Sequence, residues 1–497
     1  MSILDLPLIS LLIITLPLGA LLIWIIPNAG MARWITLFAA LIDLCLSLTI
    51  LFNFDSSTPG FQFVEQANWI PTLNIHYKVG IDGISVLFLP VTILIFLGVI
   101  MSSWNSIRSM PRLYFSLLLM LESVTLGIFC ALDTMLFFLF WELTLIPLYF
   151  LISLWGIGPN RRYAAVKYTL FMMAGGVPLL FGFILLGFNH AEVSNLAIPA
   201  GLSFDYLKLL KTEVPLNLQI TIFFLLLIGF AVKTPIFPFH TWLPTVAMEG
   251  PASITAFLTG LKLGAFGILR FVVPLTPAAS QQFHWLLAGL GVIGILYGAI
   301  AALNQTNLRR MLAFSSFSHV GLVLLGIASF NLQGIQGAVY QLLNFTVIAG
   351  GLFLLTGILH HRIGSTDLIN LGGVAKTMPI LTGFYFLFGL ASMGIPGTNG
   401  FIAEFLILFS ALQTHTGAGL AALAGVVIGS AYFLGSYRRA FLGPVNSQVV
   451  ADVIDLRKRE LLLFLLIAVI IISTGIYPQY VLETTRLASE NWIGFLK

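Results

Sequence analysis

The chain has 497 residues, 59% of them hydrophobic and only 8% charged, with a mean hydropathy of +1.02. Soluble domains carry about 25% charged residues, so a soluble domain as the main body is excluded. A net charge of +4 gives no polyanion-binding signature, and no nucleic acid partner is expected. The only cysteines, Cys45 and Cys130, cannot supply the four thiolates of an iron–sulfur cluster, and no glycine-rich nucleotide fingerprint follows a strand pattern. No cofactor is therefore expected in this chain.

Apolar runs of 18 or more residues recur along the whole length. Each can cross a hydrocarbon core roughly 30 Å thick, and there only a helix or a closed barrel satisfies every backbone polar group. The pattern predicts an all-α integral membrane protein of about fourteen transmembrane helices. They are placed at 7–26, 32–53, 83–102, 112–131, 134–156, 164–188, 217–245, 252–273, 283–303, 308–329, 334–360, 377–412, 418–442 and 461–482. The first lacks a basic start and a small-residue cleavage site, so it reads as a retained span.

The seventh and twelfth spans are too long for one plain helix, and both are punctuated. Pro235 and Pro238 interrupt the seventh; Gly394, Pro396, Gly397 and Gly400 interrupt the twelfth. The broken spans are the fourth members of two five-span groups, spans 4–8 and 9–13. Five is odd, so the groups run in opposite directions across the membrane, which predicts an inverted repeat with a site at the breaks. The resulting divisions are 1–111, 112–273, 283–442 and 443–497, the last holding span 14 and a tail.

Basic residues crowd the loops after odd-numbered spans, among them Arg33, Arg108, Arg161, Arg162, Arg310, Arg362, Arg438 and Arg457. The other loops hold Lys78, Lys208 and Lys211, and Arg270 at the end of the eighth span is counted with them. This asymmetry puts the odd loops in the cytoplasm and both termini on the opposite side.

An ionised group at the bilayer centre costs about 2.5–3.5 kcal/mol on insertion scales, which makes each buried charge a candidate for function. Inside the spans lie Lys167, Lys233, Lys262, Glu142 and Glu404, with His319 mid-span and His240 just after the first break. Glu142 has no local partner, and Lys233 stands two residues before Pro235, where freed carbonyls can hold an ammonium or water. A Glu142–Lys233 pair keeps both groups charged. Drawn apart, the desolvated lysine releases its proton, which arginine cannot do. A static pair that only fixes helix packing is the competing reading. Lys262, His319 and Glu404 extend the series through the second half and favour a proton relay. Lys167 reads equally well as a snorkelling side chain, and His240 as a gate or as packing. Asp133 opens span 5, where an acid favours a helix N-terminus. Asp43 and Glu122 have no evident partner.

At these residues the chain resembles the antiporter-like family shared by complex I and Mrp-type sodium/proton antiporters. The resemblance rests on Phe140-Trp141-Glu142-Leu143, on the run Ala231 to Pro244, and on Arg309 to Gly321. It implies fourteen helices, two inverted repeats, and proton transfer through Glu142, Lys233, Lys262, His319 and a residue of span 12. That residue is Glu404 here, which resembles the NuoM/NdhD type, where sister subunits carry lysine. The implied partners are NuoL/NdhF-like and NuoN/NdhB-like membrane neighbours and lipids. Iron–sulfur clusters and quinone are implied in other subunits.

The wording is most similar to cyanobacterial or plastid NdhD, which implies a thylakoid membrane, plastoquinone, and electrons from NAD(P)H or ferredoxin. Two departures stand out. Ala247 and Phe345 occupy positions where the family carries histidine, so water or Asn344 must complete the path. They resemble the variants of complexes devoted to CO₂ uptake, which implies a CO₂-hydrating partner protein. A sodium/proton antiporter subunit and a proton-inactive scaffold for that partner are the alternatives.

Overall fold

The computed structural model describes residues 6–26, 28 and 30–496. An apolar helix, or a pair of half-helices, occupies each of the fourteen predicted stretches. Twelve helices among the described residues are long and apolar enough to cross a membrane; Phe88–Ser103, Pro379–Ser392 and Asn399–Thr414 are shorter. Leu308–Ala328 and Ala252–Leu275 are buried on every side, whereas Met31–Phe52, Thr416–Phe441 and Lys458–Ile476 leave broad apolar faces outward. The core therefore runs through spans 8, 10 and 11, with a ring of half-exposed helices around it.

Both expected breaks are present. The seventh span divides into Leu216–Lys233 and Trp242–Glu249, and the twelfth into Pro379–Ser392 and Asn399–Thr414. The Trp242 indole bridges the first break by donating to the Val232 carbonyl at 2.9 Å. The eighth span departs from expectation. It unwinds between Ala252–Gly260 and Leu263–Gly267, with Lys262 at the interruption (φ −94°, ψ 64°), and then passes through a π-helical turn, Ile268–Val272.

Two elements lie outside the expected spans. Gln62–Ile70 and Ile75–Ile81 form an antiparallel hairpin, turned by Asn74 in the left-handed region (φ 54°). The expected C-terminal tail is instead a helix, Gln479–Gly494, whose Trp492 indole donates to the Leu269 carbonyl at 2.6 Å. The hairpin's Glu65 accepts from the amides of Ile9 and Ser10 at the start of the first helix. Both described ends of the chain thus sit at the hairpin end of the bundle.

Arg270, counted by sequence with the loop after the eighth span, is buried in the π-helical turn and grips Asp82 with two guanidinium nitrogens at 2.7 and 2.5 Å. A second buried pair, Lys78–Asp205 at 2.5 Å, locks the hairpin to the loop before span 7. These two bases serve structure at that end, which sharpens the difference in free basic charge between the two ends.

Candidate functional site

The two buried lysines Lys233 and Lys262 fall at helix interruptions. Lys233 ends the Leu216–Lys233 helix, and its ammonium donates to the Thr144 hydroxyl at 2.7 Å and to the Trp141 carbonyl at 3.2 Å. The ammonium also lies 3.9 Å from the centroid of the Trp141 ring, a cation–π distance. No ion pair joins it to Glu142 among the described residues, so the expected pair is replaced by contacts with the two residues flanking that helical turn.

Glu142 is half-buried, and its Oε1 has no hydrogen-bond partner. It packs against Gly176 of the sixth span, where a Cβ would collide with the carboxylate. The missing side chain there is what lets a carboxylate lie between the two helices.

Lys262 has its own backbone in the break of span 8. Its ammonium is buried, has no hydrogen-bond partner, and lies 5.9 Å from the Phe345 ring centroid. The same ring meets the His319 imidazole edge-on at 5.5 Å. Phe345, at the position of an expected histidine, therefore stands against both Lys262 and His319.

His319 is held by two carbonyls. Its Nδ1 lies 2.8 Å from the Ser315 oxygen, and its Nε2 lies 2.9 Å from the Ser392 oxygen at the end of the first half of span 12. Carbonyls only accept, so a neutral ring satisfies one of them and a ring with both nitrogens protonated satisfies both. The Glu404 carboxylate is 3.6 Å from Nε2. Gly394, in the second break with φ +65°, leaves room for it, since a Cβ there would strike the carboxylate.

Between spans 10, 11 and 12 lies a cavity of about 20 Å³, with Ser315, His319, Gln341, Asn344 and Glu404 on its polar side and Phe345 and Phe353 on its apolar side. That volume holds about one water. Asn344, named above as a substitute for the missing histidine, donates to the Asn399 carbonyl at 2.9 Å and so ties span 11 to the second break. The Tyr432 hydroxyl donates to the Ser315 hydroxyl at 2.7 Å.

The remaining candidates are placed as follows. Lys167 donates to the Thr241 carbonyl and the Thr245 hydroxyl, both at 3.0 Å, and so binds the sixth span to the broken seventh. His240 is enclosed by aromatic rings, with Phe317 at 4.6 Å and Tyr297 at 5.2 Å. Asp133 caps the Thr134–Leu143 helix through the amides of Met135 and Leu136 and also accepts from the His76 amide of the hairpin. Those contacts are a capping residue's. Asp43 and Glu122 are both fully buried, and their carboxylates lack hydrogen-bond partners among the described residues.

Sequence gives no role to Thr144, Ser392 or Gln341, while Trp141 and Ser315 stand in the stretches that carry the family resemblance. Trp141 and Thr144 adjoin Glu142, and Ser315 lies one turn before His319, so adjacency was the available signal. Nothing local marked Ser392 or Gln341.

Residues 131–429 match the family described as NADH:quinone oxidoreductase/Mrp antiporter, transmembrane. NADH-quinone oxidoreductase subunit M of Rickettsia conorii is 37% identical over 449 residues, which cover 90% of this chain and 89% of that protein. NAD(P)H-quinone oxidoreductase chain 4 1 of Synechococcus elongatus is 37% identical over 469 residues, covering 92% and 86%. A chain in the structure of respiratory complex I from Thermus thermophilus with bound NADH superposes with a TM-score of 0.89 at 28% identity, covering 98% of this chain and 100% of that one.

Proposed function

The chain belongs to the NADH:quinone oxidoreductase/Mrp antiporter membrane family, and from that premise we propose that it carries protons through a file of Glu142, Lys233, Lys262, His319 and Glu404. The observation that carries this reading is the pairing of His319 with Glu404 at 3.6 Å beside a water-sized cavity that both residues line. A histidine with two carbonyl acceptors can take a second proton and hold it, and a carboxylate within one short step can receive it. Lys262, without a partner, is the group whose ammonium has least to lose by giving its proton up. Lys233 is the other lysine in the file, held on Thr144 and Trp141 until a neighbouring charge moves it.

The energy comes from quinone reduction in other subunits, where the iron–sulfur clusters and quinone sit; this chain supplies the path. Its neighbours are NuoL/NdhF-like and NuoN/NdhB-like subunits. The basic loops after odd-numbered spans face the cytoplasm. Ala247 and Phe345, in place of family histidines, support the narrower reading of a cyanobacterial thylakoid complex that serves CO₂ uptake and reduces plastoquinone.

The test is Lys233→Ala in the assembled complex, reconstituted into sealed vesicles. Quinone reduction and vesicle acidification are followed together. Reduction without coupled acidification is expected; an assembled variant that acidifies like the wild type refutes the relay.

A further inference from the structure

A cavity of about 630 Å³ opens at the end of the bundle that carries the basic loops. It shares no lining residue with the cavities around His319 and Glu404. Five arginines line it: Arg33 from the start of the second span, Arg108 after the third, Arg362 at the end of the eleventh, and Arg457 and Arg459 at the start of the fourteenth. The single carboxylate in the wall, Glu460, is already paired with Arg362 and accepts from the Arg457 amide at 2.8 Å. The other arginines have no carboxylate partner among the described residues.

Two of these arginines are held in place yet keep unused donors. Arg33 places one terminal nitrogen 3.0 Å from the Ile107 carbonyl, and its buried Nε has no partner. Arg459 lies over the Trp104 ring at 5.4 Å, and its buried Nε also has none. Repelling cations drawn together without a counter-charge are unfavourable unless an anion joins them. Arginine's planar fork matches a phosphate in particular.

The rest of the wall says which anion. Trp155, Ile157, Leu354 and Ile358 give it an apolar side. Trp34 and Trp104 meet edge-on at 5.0 Å beside it, and tryptophan gathers at the depth where headgroups meet acyl chains. A cluster of arginines at helix ends, beside an apolar wall and tryptophans, suits a ligand with a phosphate and a hydrocarbon tail. An acidic peptide would neutralise the arginines but leave the apolar side uncovered.

We propose that this cavity binds the phosphate headgroup of an anionic phospholipid, with Arg33 and Arg459 as its principal donors. The lipid adds a bridge among spans 2, 3, 11 and 14, all of which contribute to the cavity wall.

The test is native mass spectrometry of the full-length chain titrated with phosphatidylglycerol, with phosphatidylcholine, and with inorganic phosphate. Wild type is expected to hold phosphatidylglycerol at least about tenfold more tightly than phosphatidylcholine, and Arg33→Gln/Arg459→Gln to lose at least about tenfold of that. Arg438→Gln/Arg439→Gln, which removes the same charge from an exposed pair, is expected to bind as wild type. Equal loss in both variants, or no preference between the lipids, overturns the proposal. Inorganic phosphate displacing phosphatidylglycerol at equal concentration would make the site one for free phosphate and also overturn it. If the glutamine variant does not fold, Arg33→Lys/Arg459→Lys decides: retained binding below wild type supports the fork, and unchanged binding refutes it.

Discussion

Thr144→Val isolates the contact that holds the Lys233 ammonium. Thr144 is fully buried and does two things: its hydroxyl accepts from Lys233 at 2.7 Å and donates to the Trp141 carbonyl at 2.8 Å. Valine fills nearly the same volume and removes both. A hydrogen bond to a charged group is worth about 1.5–3 kcal/mol, which corresponds to roughly a 10–100-fold change in how often the ammonium occupies that position. The Trp141 carbonyl and ring remain as partners, so the fold has little reason to change. Coupled vesicle acidification driven by quinone reduction is expected to fall by about tenfold or more, with assembly intact. Thr144→Ser, which keeps the hydroxyl, is expected to recover most of it. Wild-type acidification by an assembled Thr144→Val complex would refute the view that this hydroxyl positions a proton carrier.

Gly394→Ala puts a Cβ into the Glu404 carboxylate at a backbone with φ +65°; strain of about 1–3 kcal/mol is expected, read as a lower unfolding temperature together with slower proton release. Glu404→Lys is expected to slow release more than uptake, measured by pH dyes placed inside and outside the vesicles; equal wild-type rates would make Glu404 structural. At the hairpin end, burial alone would push the Asp82 carboxyl up, but the Arg270 guanidinium outweighs it and holds it below the usual carboxylate range. A depressed folded value means its stabilising contribution is complete above the usual range and is lost as pH falls through the depressed one. Melting temperatures are therefore expected to drop below about pH 4, and Asp82→Asn to remove that acid limb. The same substitution leaves Arg270 buried without its anion, at a cost of about 3–5 kcal/mol at neutral pH.

The apolar runs carry most of the fold because a bilayer offers a backbone few options. The breaks at Pro235 and at Gly394 to Gly400 were legible because proline and glycine act on the backbone directly. The break at Lys262 was not. Thr259-Gly260-Leu261-Lys262-Leu263-Gly264 contains no proline, and its two isolated glycines lie within a run that is otherwise long enough for one helix. The C-terminal helix escaped because its polar sequence, with Glu483, Arg486 and Glu490, fails any test built on apolar length. In the hairpin, exposed Gln66, Ala67, Asn68 and Trp69 follow one another, so the strand shows no alternation of apolar and polar residues. The titratable set of the candidate site was readable from its position inside apolar runs, but its partners were not. Whether Lys233 meets Glu142 or Thr144, two positions apart, is decided by helix rotation and rotamer. Arg270 misled for a related reason: its burial is tolerated only because Asp82, 188 positions away, meets it.

Lys262 joins two properties in one residue. Its side chain is an ionisable group without a partner, and its backbone is the joint between two rigid helical pieces. In a plain helix a change of charge moves only the end of a flexible side chain. At a joint, the force on the ammonium is applied where the backbone resists it least. Spin labels on Ala252–Gly260 and Leu263–Gly267 are expected to report a different bend in Lys262→Ala than in the wild type; identical distances would show that the charge and the joint are independent.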